Sequence, residues 1–217
     1  KESYKSEPQR LQRSIAAELN TRYREVQTLA QDAAFRVDDT TKLTTTLNKY
    51  ASLHPNYDLI VFVNSKGEFV ASNTRSSAGT IATAALSDFK FGDTQWFKAT
   101  MDEKFTEDRQ TGLTGTFVED AHWDPLLETA FHKPQFGNGF SAIVKDYKGQ
   151  VLGVLSTRSN FKWVDDHFKI AYQNIAESNT GSKAVELTLL NGQGFVIVDH
   201  DPTERDSKNE SIHDTEV

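Results

Sequence analysis

Apolar residues recur at Leu11, Ile15, Leu19, Tyr23, Val26, Leu29, Ala33 and Val37, in steps of three and four. A stripe with that spacing marks one face of an amphipathic helix. It predicts a single long helix from about Gln9 to Val37, with Arg13, Glu18, Arg22, Arg24, Glu25, Asp32 and Arg36 on its other faces. Asp38-Asp39-Thr40-Thr41 punctuates the stripe. Asp39 or Thr40 is expected to cap a second, shorter helix through Leu43, Leu47 and Tyr50, which His54-Pro55-Asn56 ends. At 1.5 Å per residue the first helix is about 40 Å long, too long for a small sheet to cover. It is expected to project, or to pair with a copy of itself as a homodimer; packing along one large domain is the other reading.

Beyond Asn56 the period changes. Tyr57-Asp58-Leu59-Ile60-Val61-Phe62-Val63, the turn Asn64-Ser65-Lys66-Gly67 and Glu68-Phe69-Val70-Ala71-Ser72 read as two short strands joined by an Asn-x-x-Gly turn. The phrase returns at residues 184–200, about Asn191-Gly192-Gln193-Gly194. A third hairpin joins residues 139–145 to 150–157 through Asp146-Tyr147-Lys148-Gly149. Between the first and third lie a polar stretch (73–83), a short capped helix over 93–101 and a mostly irregular segment, 105–136, with one strand near Thr116-Phe117-Val118. A helix is expected from Phe161 to Glu177, with Phe161, Val164, Phe168, Ala171, Tyr172 and Ile175 on one face. Hairpins imply an antiparallel sheet, and the irregular middle must cross one of its faces. The class is α+β. Long loops within a compact domain are commonly binding loops.

Composition narrows the function. The 217 residues carry 31 acidic and 24 basic groups, a formal charge of −7, with no basic stripe to neutralise phosphates. A nucleic-acid partner is therefore not expected. The absence of cysteine removes disulfides and thiol chemistry while leaving the compartment open. No apolar run approaches the ~20 residues that span a bilayer. The chain opens on Lys1-Glu2-Ser3 without Met or a signal-like segment, and is expected to be a piece of a longer protein. No nucleophile elbow, phosphate loop, zinc-helix motif or dinucleotide fingerprint occurs, so neither an enzyme nor a cofactor is expected.

The first hairpin, Gly92-Asp93-Thr94-Gln95-Trp96-Phe97 and the run Phe140–Leu155 follow one another in an order that resembles the Cache family. These are the PAS-like extracytoplasmic sensor domains of bacterial chemoreceptors, histidine kinases and diguanylate cyclases. The resemblance covers nearly the whole chain. It implies a long stalk helix (with the short helix, residues 1–56), a PAS-like membrane-distal ligand-binding module (57–158), a linking helix (159–184) and the opening of a membrane-proximal module (185–217). It further implies a periplasmic location, membrane anchoring of the parent protein, and a small-molecule ligand in the distal module. A methyl-accepting chemotaxis receptor is the leading reading. A kinase or cyclase sensor, or a module that binds a periplasmic protein partner and no small molecule, are the alternatives.

Many amino-acid-binding members carry an Arg two positions before the Trp-aromatic pair and an Asp shortly after the last strand. Here Trp96-Phe97 matches the pair, Thr94 stands in place of the Arg, and Arg158 in place of the Asp. An Arg repels an ammonium and suits bidentate capture of a carboxylate. An organic acid or other anion is therefore expected rather than an α-amino acid; Arg158 facing solvent, or paired with Asp165 or Asp166, is the plainer reading. Trp96, Phe97, Phe117, Phe140 and Ser141 are candidate pocket residues that serve equally as core. Glu119-Asp120-Ala121-His122-Trp123-Asp124-Pro125 is expected to be a solvated lid loop. In it Asp120 and His122 are candidate ligand groups and Trp123 a closing side chain; its His and carboxylate groups also match divalent-metal donors, though at no standard spacing.

Overall fold

A computed structural model describes residues 3–178, 187–190, 195–200 and 212–216. Its first helix, α1, spans Ser3–Leu29, beginning before Pro8 and ending sooner than the apolar stripe predicts. The reason lies at Asp32. Its carboxylate accepts from Ala34 N at 2.8 Å and caps a separate 3₁₀ turn, Ala33–Arg36. The stripe thus continues across a break in the helix, because burial follows the apolar positions while hydrogen bonding follows the cap. Asp39 then caps α2, Thr40–Leu53, as expected.

The remaining elements follow in chain order: β1 Tyr57–Asn64, β2 Phe69–Ser72, the two-residue strands β3 Arg75–Ser76 and β4 Gly79–Thr80, and α3 Thr83–Asp88. Next come a 3₁₀ turn Phe91–Asp93, α4 Gln95–Met101, β5 Phe117–Trp123 and α5 Pro125–Phe131. The chain continues with β6 Phe136–Lys145, β7 Val151–Ser159, α6 Lys162–Ser178, and β8 Leu187–Leu190, β9 Phe195–His200 and β10 Ile212–Glu216. Two units form from these: Arg22–Asn160, and Lys1–Thr21 with Phe161–Val217.

In the first unit a five-stranded antiparallel sheet has the order β2-β1-β7-β6-β5, so β5 and β2 are its edges. The β1–β2 turn is built as its sequence reads. Asn64 Oδ1 accepts from Lys66 N and Glu68 N, each at 3.0 Å, and Gly67 takes φ +80°. Residues 105–136 are more regular than expected, and the strand expected near Thr116-Phe117-Val118 runs further. They hold a complete edge strand, β5, with a bulge between Glu119 and His122, and a short helix, α5. Asp124 Oδ1 caps α5 by accepting from Leu126 N at 2.8 Å, with Pro125 at the first helical position. One sheet face carries Ile60, Phe62, Phe140, Ala142, Val144, Leu155 and Thr157, and Phe35 meets Phe62 edge-on at 5.0 Å. The other face carries Leu59, Val61, Val63 and Val154 beneath Ile81, Leu86, Phe91, Trp96, Phe97, Leu126, Leu127 and Ala130.

The second unit contains α6 and an antiparallel sheet of order β10-β9-β8. Strands β8 and β9 pair as the repeated phrase predicts, Leu187 opposite His200. Its Asn191–Gly194 turn lies outside the described residues.

Candidate functional site

Directly paired residues of antiparallel strands project to the same face. Two adjacent rows therefore cross the face beneath α4. One holds Val61, Ser156, Ser141 and Phe117; the next holds Leu59, Arg158, Gly139 and Glu119. The centre of an otherwise apolar layer is thus polar. Ser141 and Ser156 are wholly buried and hydrogen-bonded hydroxyl to hydroxyl at 2.9 Å.

Arg158 is 0% exposed, the largest fully buried side chain among the described residues. Its Nη1 donates to Glu119 Oε2 and lies 3.2 Å from Asp124 Oδ2, while its guanidinium carbon sits 5.1 Å from the Trp96 ring centre. Burial opposes its charge, but the Asp124 and Glu119 carboxylates outweigh burial and hold its pKa above the ordinary arginine value. The cation is permanent. Gly139 makes the geometry feasible, since a Cβ there would fall on Arg158 Nη1 and within 2.6 Å of Glu119 Oε2. The side chain of β7 crosses β6 through that gap to reach β5. The hydrogen bonding nevertheless remains incomplete: Arg158 Nε and Nη2 are buried without a hydrogen-bond partner, and Asp124 Oδ2 has only its 3.2 Å ion contact with Nη1.

The sequence-predicted residues distribute unevenly about this cluster. Trp96 and Phe97 are buried on α4, edge to face at 6.3 Å, and Trp96 covers Arg158. Thr94 is the N-cap of α4; its hydroxyl donates to Phe91 O at 2.7 Å and accepts from Phe97 N at 3.3 Å. Its hydroxyl proton is spent on the preceding turn and one lone pair on the helix. Phe117 packs against the core below α4, and Ser141 lies in the polar row. Phe140 projects from the opposite face, paired with Thr157. Asp120 is exposed, its Oδ1 accepting from Ala121 N, and His122 Nδ1 meets Asp120 O at 2.7 Å. Trp123 is 44% exposed and sits edge-on to Phe136 at 5.4 Å. The expected solvated loop is therefore a strand with alternating fates, Glu119 inward and Asp120 outward. Arg158 neither faces solvent nor pairs with Asp165 or Asp166; its partners are Glu119 and Asp124. Sequence reasoning places those two only among the loop carboxylates, although Asp124-Pro125 ahead of Leu126-Leu127 carries a readable helix start. Among the described residues no group of three or more His, Cys, Asp or Glu could hold a metal ion, and no helix is long and apolar enough to cross a membrane.

A second buried acid lies at the start of β1. Asp58 is 4% exposed and accepts from Asn160 Nδ2 at 2.9 Å. Burial pushes its pKa up to about 6, against the smaller lowering by Asn160 and Lys133. A carboxyl whose pKa is raised on folding stabilises the fold fully below its unfolded value, and that stability is lost as pH rises through the folded value. Asp58→Asn keeps an acceptor for Asn160 but has no proton to lose. Its stability relative to the parent should therefore climb between about pH 4 and 7, reaching about 2–3 kcal/mol. Urea denaturation across that range measures the difference; a pH-independent difference would contradict the assignment.

The long helix followed by this antiparallel sheet, with short helices over one face, is the fold of Cache-type sensor domains of bacterial receptors. The ligand-binding domain of the Campylobacter jejuni chemoreceptor Tlp3 in complex with L-valine superposes with a TM-score of 0.55 at 15% identity, over 75% of this chain and 60% of that one. The Tlp3 sensory domain with isoleucine bound gives 0.57 at 15% identity, covering 95% of this chain and 72% of that one. The sensor domain of the V. cholerae histidine kinase DctB gives 0.53 at 13% identity, covering 94% and 69%. No protein-family model and no curated protein sequence matches the chain.

Proposed function

We propose that this chain is the extracytoplasmic sensing region of a bacterial transmembrane chemoreceptor, binding a small carboxylate-bearing molecule at the polar rows beneath α4. One observation carries the reading: Arg158, wholly buried, still presents Nε and Nη2 without a partner. That edge of a guanidinium is built for two parallel bonds to one carboxylate. The other features of the group are already used, Trp96 lying over the guanidinium and Glu119 and Asp124 facing Nη1.

Charge refines the ligand beyond the plain anion expected from sequence. One cation and two carboxylates already leave the cluster one charge negative. A bare monoanion would deepen that deficit in a low-dielectric site. A molecule with a hydroxyl or ammonium beside its carboxylate also offers a donor to Asp124 Oδ2. An amino acid, neutral overall, is thus favoured on charge, and a hydroxy acid is favoured over a simple acid on its extra donor. The distal module is taken as residues 57–158, in a membrane-anchored parent protein that dimerises through its N-terminal helix. The likeness to DctB supports a histidine-kinase sensor as the second reading.

Thermal-shift titration against amino acids, hydroxy acids, simple carboxylates and amines is the test. Bifunctional carboxylates should raise Tm progressively with concentration, as linkage requires, and Arg158→Met should abolish the response. A flat screen across all four classes would transfer the proposal to a protein partner.

A further inference from the structure

We infer that a hydrogen-bonded latch centred on Thr116 couples helix α1 to the sensing strand β5. The inference rests on the sensing reading above for its use, while the latch itself is a feature of the fold. Thr116 is 0% exposed and immediately precedes β5. Its hydroxyl donates to the main-chain oxygen of Tyr23 at 2.7 Å and accepts from Gln27 Nε2 at 2.9 Å. The same Gln27 amide donates to Thr114 O at 2.8 Å. The Tyr23 hydroxyl donates to Thr106 O at 2.5 Å and accepts from Thr116 N at 3.3 Å. Gly115, at φ +94°, admits this approach; a Cβ there would stand 2.8 Å from Gln27 Oε1. Tyr23 and Gln27 are four apart and share one face of α1. Two adjacent turns of the helix therefore hold both sides of the segment that opens β5.

The other end of the connection is Glu119, three residues along the strand and about 10 Å away at ~3.3 Å per residue. It is the β5 residue that bonds Arg158. Strand β5 is paired on one side only and bulges just beyond Glu119. It is less constrained along its axis than the central strands: besides the ladder to β6 and the core packing of Phe117, it is held by the Thr106 hydroxyl at Val118 N, by Arg158 at Glu119 and by α1 at Thr116. A ligand carboxylate on the Nε and Nη2 edge of Arg158 adds a like charge beside Glu119 and weakens its bond to Nη1. Release of Glu119 shifts β5, and the latch carries the shift to α1. A plain packing contact would tolerate such a shift by sliding; a threonine hydroxyl bonded both to a helix carbonyl and to a helix side chain does not.

The test is a double-mutant cycle read by hydrogen exchange, without ligand, on the full chain. Glu119→Gln should accelerate exchange of the α1 amides at 22–29 by about fivefold or more, the lower end of measured coupling between sites. In a Thr116→Val background the same substitution should add less than twofold. Gln27→Ala, a milder cut of the latch, should reduce the effect to an intermediate value. Equal acceleration by Glu119→Gln in the parent and in both latch variants would overturn the inference. Because no ligand enters the cycle, a flat ligand screen beside a non-additive cycle removes the ligand and keeps the latch. An additive cycle beside a positive screen does the reverse.

Discussion

Arg158→Ala is expected to cost about 3–5 kcal/mol of folding stability, the range for removing one partner from a buried ion group. The loss has two parts. Truncation vacates the space beneath Trp96, and it strands the negative charge of Asp124, whose side chain is 3% exposed. Glu119, at 20%, reaches water more easily and contributes less. The charge part is separable. Arg158→Met alone should remain strongly destabilised, whereas Arg158→Met combined with Glu119→Gln and Asp124→Asn should recover a large share. The amides need no counter-ion, and the side-chain oxygen introduced by Asp124→Asn can still cap α5. Urea denaturation at pH 7 provides the comparison. A loss below about 1 kcal/mol for Arg158→Ala, the size of a surface pair, would mean that the cluster is not the closed assembly described.

Gly153→Ala is expected to be comparably damaging for a purely steric reason. Gly153 of β7 stands between Asn64 of β1 and Val144 of β6. A Cβ at this position would land on the Val63 carbonyl oxygen and 2.8 Å from Asn64 Cα. Both are backbone, so no rotamer change relieves the overlap. Either β1 or β7 must move, and the register that sets Arg158 beside Leu59 moves with it. A cost of about 3 kcal/mol or more is expected, at the upper end for overpacking. Gly149→Ala is an informative companion: it meets no atom within 4 Å but has φ +84°, so it carries backbone strain alone. Its cost should be near 1 kcal/mol. Equal losses at the two glycines would contradict the close approach at Gly153.

The elements legible in the sequence are those whose signals are local. The Asn64-to-Gly67 turn, the Asp39 cap and the stripe on α1 each depend on residues within a few positions of one another. The element order followed from them, and with it the α+β sheet. The start of strand β5 was legible near Thr116-Phe117-Val118, but its continuation to Trp123 was hidden because Glu119 and Asp120 put an acid on each face and read as a loop. Helix α5 was hidden because seven residues carry too few turns for a periodic pattern. Thr94 illustrates a different failure. A position compared with a ligand-binding arginine is here a helix cap, and nothing in its residue type separates the two roles.

Trp96-Phe97 and Arg158 stand out in the sequence through the resemblance to Cache domains, which marks an aromatic pair and, where an acid would stand, a cation. Which groups meet the cation was decided by tertiary structure. Glu119 is 39 positions from Arg158 in the chain, and the two are joined only because β5, β6 and β7 align in one register with a glycine between them. The same holds for Thr116 and Tyr23, 93 positions apart. Local propensity sets the elements, whereas the charge and bonding of this site come from contacts that exist only once the sheet has closed.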